Sequence, residues 1–227
     1  MGGHSNQHEN CSSHCYFLVS VAAALAFSSA LVAGQAQVPT PRLTYTKIMK
    51  GSVPEYERVT VDCSGAGTFD GRRLSDPPNP QPLQLSSGVT QRLFGLASEL
   101  GDFRFIELES DKKVANLGEK IFTYQKGRQT YKVEFNYTRN RTAEELTNLF
   151  EGIASVEEHI AGLEYSARFD PLGLPHQLHL AAIDLYEHNL TDPQLMVPIL
   201  KRIASNSRYL HIAQVEAQDI LLRIEDQ

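Results

Sequence analysis

Apolar and polar side chains alternate in five stretches of the chain, and five others carry an apolar residue at every third or fourth position. The first pattern predicts strands and the second amphipathic helices. LTYTKIMK (43–50) and YERVTVDC (56–63) form a hairpin pair around GSVPE, and TFDGRRL returns as a third strand. A helix follows from Ser87 to Leu100, capped by Ser86 or Ser87, striped by Leu93, Leu96, Ala97 and Leu100, and stopped by Gly101. ELESDKKVANLG (107–118) carries no period. EKIFTYQ and QTYKVEFNYT then pair about Lys126-Gly127-Arg128, with Tyr131, Val133, Phe135 and Tyr137 on one face. RTAEELTNLFEGIASVEEHI opens with Thr142 and Glu145 at capping-box spacing, and Leu146, Leu149, Phe150, Ile153 and Val156 stripe the helix. With hairpins and helices but no βαβ alternation, the pattern predicts an α+β fold: an antiparallel sheet with two helices on one face.

Strand signal ends near Tyr165. Three short helices follow near 174–189, 193–204 and 208–224, with Asp192-Pro193 as a cap and first-turn proline. Leu195, Ile199, Leu200 and Ile203 stripe the second; Ala213, Ala217, Ile220, Leu221 and Ile224 stripe the third. This all-α helical hairpin subdomain resembles about one and a half units of a helical-repeat array, too little to stand alone. It packs on the sheet domain or continues its last helix. The expected organisation is a signal peptide over 1–36, an α+β domain over 37–164 and the helical subdomain over 165–227.

The leader assignment rests on eighteen residues from Phe17 to Gly34 without a charge, followed by the small-x-small Gly34-Gln35-Ala36. Cleavage near Ala36 makes the protein exported, periplasmic or extracellular. The alternative is a retained single-span anchor, since the run just suffices to cross a bilayer core. No Lys or Arg precedes the run, so only the terminal amine supplies an n-region charge. Cleavage removes one acid and no base, shifting the net charge from −6 to −5, and leaves Cys63 as the remaining cysteine. No intramolecular disulfide is then possible, and Cys63 is expected to be a buried small hydrophobe at a strand end. His4, His8, Cys11, His14 and Cys15 could bind a soft metal, but they lack a paired C-x2-C knuckle and leave with the leader. With 21 basic residues against 27 acids and no basic cluster, a nucleic-acid footprint is not expected.

SGAGTFDG (64–71) raises the question of a phosphate cradle. Such a loop must open a helix whose amides face the anion. Here the spacing is one residue too long, and Pro77, Pro78, Pro80 and Pro82 follow, so the glycines are read as tight-turn residues. His176 and His179, i and i+3 on a helix, are the candidate metal pair. HQLHLAAIDLYEH supplies no carboxylate between them, and His188 falls on the far side of a continuous helix. Glu157, Glu158 and His159 point about 100° apart and read as a surface helix end. No G-x-S-x-G elbow is present, and no catalytic residue or cofactor is expected. Asn136, Asn140 and Asn189 open glycosylation sequons, read as chance occurrences.

The opening strand LTYTKI, ERVTVDCSGAGTF, the helix running to GDF, the hairpin FTYQKGRQTYKVEF and the closing helix resemble the emfourin-type inhibitors of thermolysin-like metalloproteases over residues 43–155. The resemblance implies an inhibitor-like module that binds a secreted protease and specifies no inhibitory residue. The expected function is that of an exported non-catalytic interaction protein with a protein partner, touching membrane only through its N-terminal segment. Two alternatives are a metal-dependent periplasmic hydrolase using the His176/His179 helix and a membrane-tethered envelope protein of structural role.

Overall fold

Six strands form one antiparallel sheet in the computed structural model of the chain, which describes residues 40–226. The leader and its His/Cys group lie outside the described residues. The strands are β1 (Arg42–Ile48), β2 (Tyr56–Asp62), β3 (Ala66–Arg72), β4 (Gln81–Gln84), β5 (Glu119–Lys126) and β6 (Gln129–Phe135), in the order β4-β3-β2-β1-β5-β6. The fold is α+β, as the alternation predicts. Inward side chains align in rows: Tyr45 opposes Val59 and Phe122, Val59 opposes Phe69, and Phe122 opposes Val133. All five are buried.

That face is covered by α1 (Ser87–Glu99) and by α2 (Arg141–Phe169). Leu93, Leu96 and Ala97 from α1, and Leu146, Phe150 and Ile153 from α2, complete the core on this face. Tyr45 lies stacked on Phe150 with centroids 5.3 Å apart, and Phe122 stands 5.6 Å from Tyr45 and 5.2 Å from Phe103. Truncating a buried aromatic in such a cluster costs about 3–5 kcal/mol.

The pattern missed β4. Its Pro82 lacks an N–H, a defect an edge strand tolerates, and β4 is the sheet's edge on that side. The glycine-rich stretch is a turn and a strand. Gly65 takes φ 84° in the turn, a conformation that favours glycine. Gly67 and Gly71 lie within β3 and are not turn residues; a Cβ on Gly67 would sit 2.0 Å from the Thr60 carbonyl oxygen. Cys63 is half-buried just past β2, less enclosed than its position predicts.

α2 is capped two residues before the expected capping box, by Asn140 and not Thr142. Asn140 Oδ1 accepts from the Ala143 amide at 3.1 Å, because a short amide at the N-cap reaches that orphan donor directly. The helix then runs 29 residues, so Glu157, Glu158 and His159 sit in its middle and not at an end. The apolar stripe explains the length: Ala154 closes the sheet-side core, and Val156 and Leu163 enter a second cluster. That cluster is built with α3 (Leu174–Tyr186), α4 (Val197–Ser205) and α5 (His211–Glu225), and the stripes predicted for the second and third of the three helices are buried except for half-buried Leu195. A 3-10 turn over Pro193–Met196 leads into α4. Asp192 precedes it at φ 62° and makes no side-chain bond to its own helix. Its buried carboxylate instead accepts from the Ser86 amide at 2.6 Å, joining the helical part to the start of α1. The described residues belong to one compact unit.

Candidate functional site

Two residues beyond the row Val59–Tyr45–Phe122, the helix-covered face of the sheet turns from apolar to charged. The next row is Glu57–Lys47–Lys120, in register across β2, β1 and β5. α2 supplies Glu151 to this end of the sheet and, two turns on, Glu158. With Met49, Ser52, Val53 and Pro54 of the β1–β2 connection, these side chains line a cleft of about 250 Å3.

Lys47 Nζ stands 3.7 Å from Glu57 and 3.4 Å from Glu151. The Tyr45 hydroxyl, at the inner end of a fully buried ring, donates to Glu151 Oε1 at 2.9 Å. Lys120 does not line the cleft: its buried ammonium donates to the Leu117 and Asn136 carbonyls at 3.1 and 3.2 Å. The lining thus holds three carboxylates, Glu57, Glu151 and Glu158, against a single cation, Lys47.

The electrostatics follow from that imbalance. Burial raises the Glu57 carboxyl above its ordinary value, Glu151 adds to the rise, and Lys47 opposes it. Glu158 is exposed at the rim, with one side of its carboxyl against the cleft. Loss of water against the cleft wall, then the charge of Glu57, push its pKa up to about 7, again opposed by Lys47. Burial also raises Glu157 and lowers Lys120. Tyr45 is raised, first by burial and then by the Glu151 charge, and stays a neutral donor.

Such a cleft is prepared to accept a second cation. A guanidinium or ammonium entering it would find carboxylate acceptors already fixed on a sheet and a long helix, so little ordering remains to be done on binding. The Ser52 hydroxyl of the lining donates to the Met49 carbonyl at 2.7 Å.

The histidines singled out by spacing lie elsewhere. His176 and His179 are exposed on α3, and His179 Nδ1 is 3.6 Å from Glu216 of α5. α3 ends at Tyr186, so His188 stands outside it at φ 59° and not on its far face. Among the described residues, no three His, Cys, Asp or Glu side chains gather in an arrangement that could hold a metal ion. Glu157, Glu158 and His159 separate as their angles require. Glu158 joins the cleft, whereas half-buried His159 faces Asp184 of α3 with Nε2 2.8 Å from Oδ2. The sequon asparagines hydrogen-bond within the chain: Asn136 with Leu117 and Ala115, Asn140 as the α2 cap, and Asn189 with Asp184 and Glu187.

Sequence reasoning passed over Lys47, Glu57, Glu151 and Tyr45. Their signal is present: Leu43-Tyr45-Lys47, Val61-Val59-Glu57 and Phe122-Lys120 each break an inward apolar run with a charge. Only the strand register shows that the breaks coincide. The chain matches no family model and no characterised protein in sequence.

Proposed function

We propose that the chain is an exported, non-catalytic binding protein whose acidic cleft receives a basic side chain, arginine or lysine, of a protein partner. One observation carries this reading: three carboxylates share one lysine in an open cleft on a rigid sheet-helix frame. The raised carboxyls of Glu57 and Glu158 add support: burial, and next the charge of a neighbouring glutamate, raises each, and an arriving cation would offset both by favouring the ionised form. Export is supported by the uncharged run Phe17–Gly34 and the small residues after it. An intact mass starting near Gln37 in secreted protein would exclude the tethered alternative.

The direct test is an amide NMR titration with a short arginine peptide and its neutral citrulline isostere. Arginine should shift resonances of the cleft residues and citrulline should leave them in place. Equal shifts from both, or none at millimolar arginine peptide, reject the cleft as a cation receptor. The resemblance to emfourin-type inhibitors sharpens the partner to a thermolysin-like protease. Assay of such an enzyme with a stoichiometric excess of the chain tests that version, and undiminished proteolysis removes it.

A further inference from the structure

At the side of the sheet opposite β4, β6 is the outermost strand. The two-residue turn Gly127-Arg128, with Gly127 at φ 64°, closes the β5–β6 hairpin on the pair Lys126–Gln129. Hydrogen-bonded pairs alternate along an antiparallel ladder. Gln129, Tyr131, Val133 and Phe135 therefore direct their backbone groups to β5, and Thr130, Lys132 and Glu134 direct theirs away from it. Beyond Phe135 the edge is covered, since the Ser110 amide donates to the Tyr137 carbonyl and Glu109 accepts from the Asn136 amide. The open edge is Thr130 to Glu134, with Lys132 and Glu134 paired to each other and half exposed.

We propose that this edge is a self-association surface: two copies of the chain pair antiparallel through β6 about a two-fold axis at Val133. Of the registers that set outward-facing residues of this edge opposite one another, an axis at Tyr131 puts Lys132 against Thr130 and makes no charge pair within the edge, and two others bring charges together. An axis at Lys132 sets Lys132 against Lys132 of the second copy. An axis at Val133 sets each Lys132 against Glu134 of the other copy, on the same sheet face, and each such pair exchanges two backbone hydrogen bonds. Opposite charges directly across an antiparallel pair stabilise it and like charges destabilise it, so the sequence Lys-Val-Glu selects the second register. The edge is complementary to itself, as a two-fold interface requires. The inference is independent of the acidic cleft, which is lined by other strands and by α2.

Sedimentation equilibrium of the full chain over a concentration series tests it, beside Lys132→Glu, Glu134→Lys and the double exchange K132E/E134K. Each single reversal places two like-charged pairs across the axis and should weaken association at least about tenfold. The double exchange restores opposite charges and should recover wild-type association to within about threefold. Both side chains are half exposed, so the variants should fold, which circular dichroism verifies. Hydrogen exchange should slow at the amides of Lys132 and Glu134 as concentration rises. A monomer at every concentration, single reversals that associate like wild type, or a double exchange as weak as the singles overturns the proposal. So does association without protection of those two amides.

Discussion

Glu158→Gln tests the electrostatic reading of the cleft through stability. The Glu158 carboxyl is raised from about 4.5 to about 7, chiefly by lost solvation and next by Glu57. A raised acid binds its proton more tightly in the folded chain than in the unfolded one. Stability from this group is therefore complete below about pH 4.5 and is lost as pH rises through 7. A fully enclosed carboxylate shifted this far would forfeit about 3 kcal/mol at pH 8. Glu158 is partly in solvent, and screening reduces the expected figure to about 1 kcal/mol. Glutamine keeps the shape and removes the charge. Glu158→Gln should thus unfold about 2–4 °C above wild type at pH 8, with the difference shrinking toward zero near pH 5. Thermal unfolding followed by circular dichroism at pH 5, 6, 7 and 8 measures it. A constant difference across that range, or a variant less stable at pH 8, would refute the reasoning.

Tyr45→Phe removes the donor to Glu151 while leaving the ring stack on Phe150. Loss of a hydrogen bond to a charged acceptor should lower urea-unfolding stability by about 2 kcal/mol, and a change below about 0.5 would contradict the bond. Asp192→Ala strands the Ser86 amide and puts alanine at a left-handed position, so a loss of about 2–4 kcal/mol and faster hydrogen exchange in the first turn of α1 are expected. Asp192→Asn keeps an acceptor and tolerates that backbone, and it should lose less; equal losses would count against the Ser86 contact. Gly67→Ala drives a methyl into the Thr60 carbonyl and should cost about 3 kcal/mol or more, seen as a lowered urea midpoint. A tolerated alanine there would show that β2 and β3 can separate.

Much of the fold was legible because alternation and helical stripes report burial directly. Leu93, Leu96 and Ala97 of α1 and the five apolar positions of α5 are buried as their spacing demands. What escaped depends on contacts between distant residues. Local preference at Asp192 favours a cap for the helix that follows, yet its carboxylate reaches Ser86, 106 positions away. β4 carries a proline that argues against a strand until the sheet order makes it an edge. The length of α2 was obscured because its stripe passes from one core to another near Ser155. The candidate site needed the register: Glu57, Lys47 and Lys120 look like ordinary surface charges until three strands set them side by side under α2. The histidines stood out in the sequence because of their residue type, and the structure leaves His176 and His179 exposed on α3.

The cleft as a cation receptor is tested most directly by a carboxyl NMR titration of Glu158, alone and with saturating arginine peptide. The account predicts a midpoint near 7 for the protein alone, falling clearly when the guanidinium enters beside Glu57 and Glu158. An ordinary glutamate midpoint in the protein alone, or one that the peptide does not move, would contradict it.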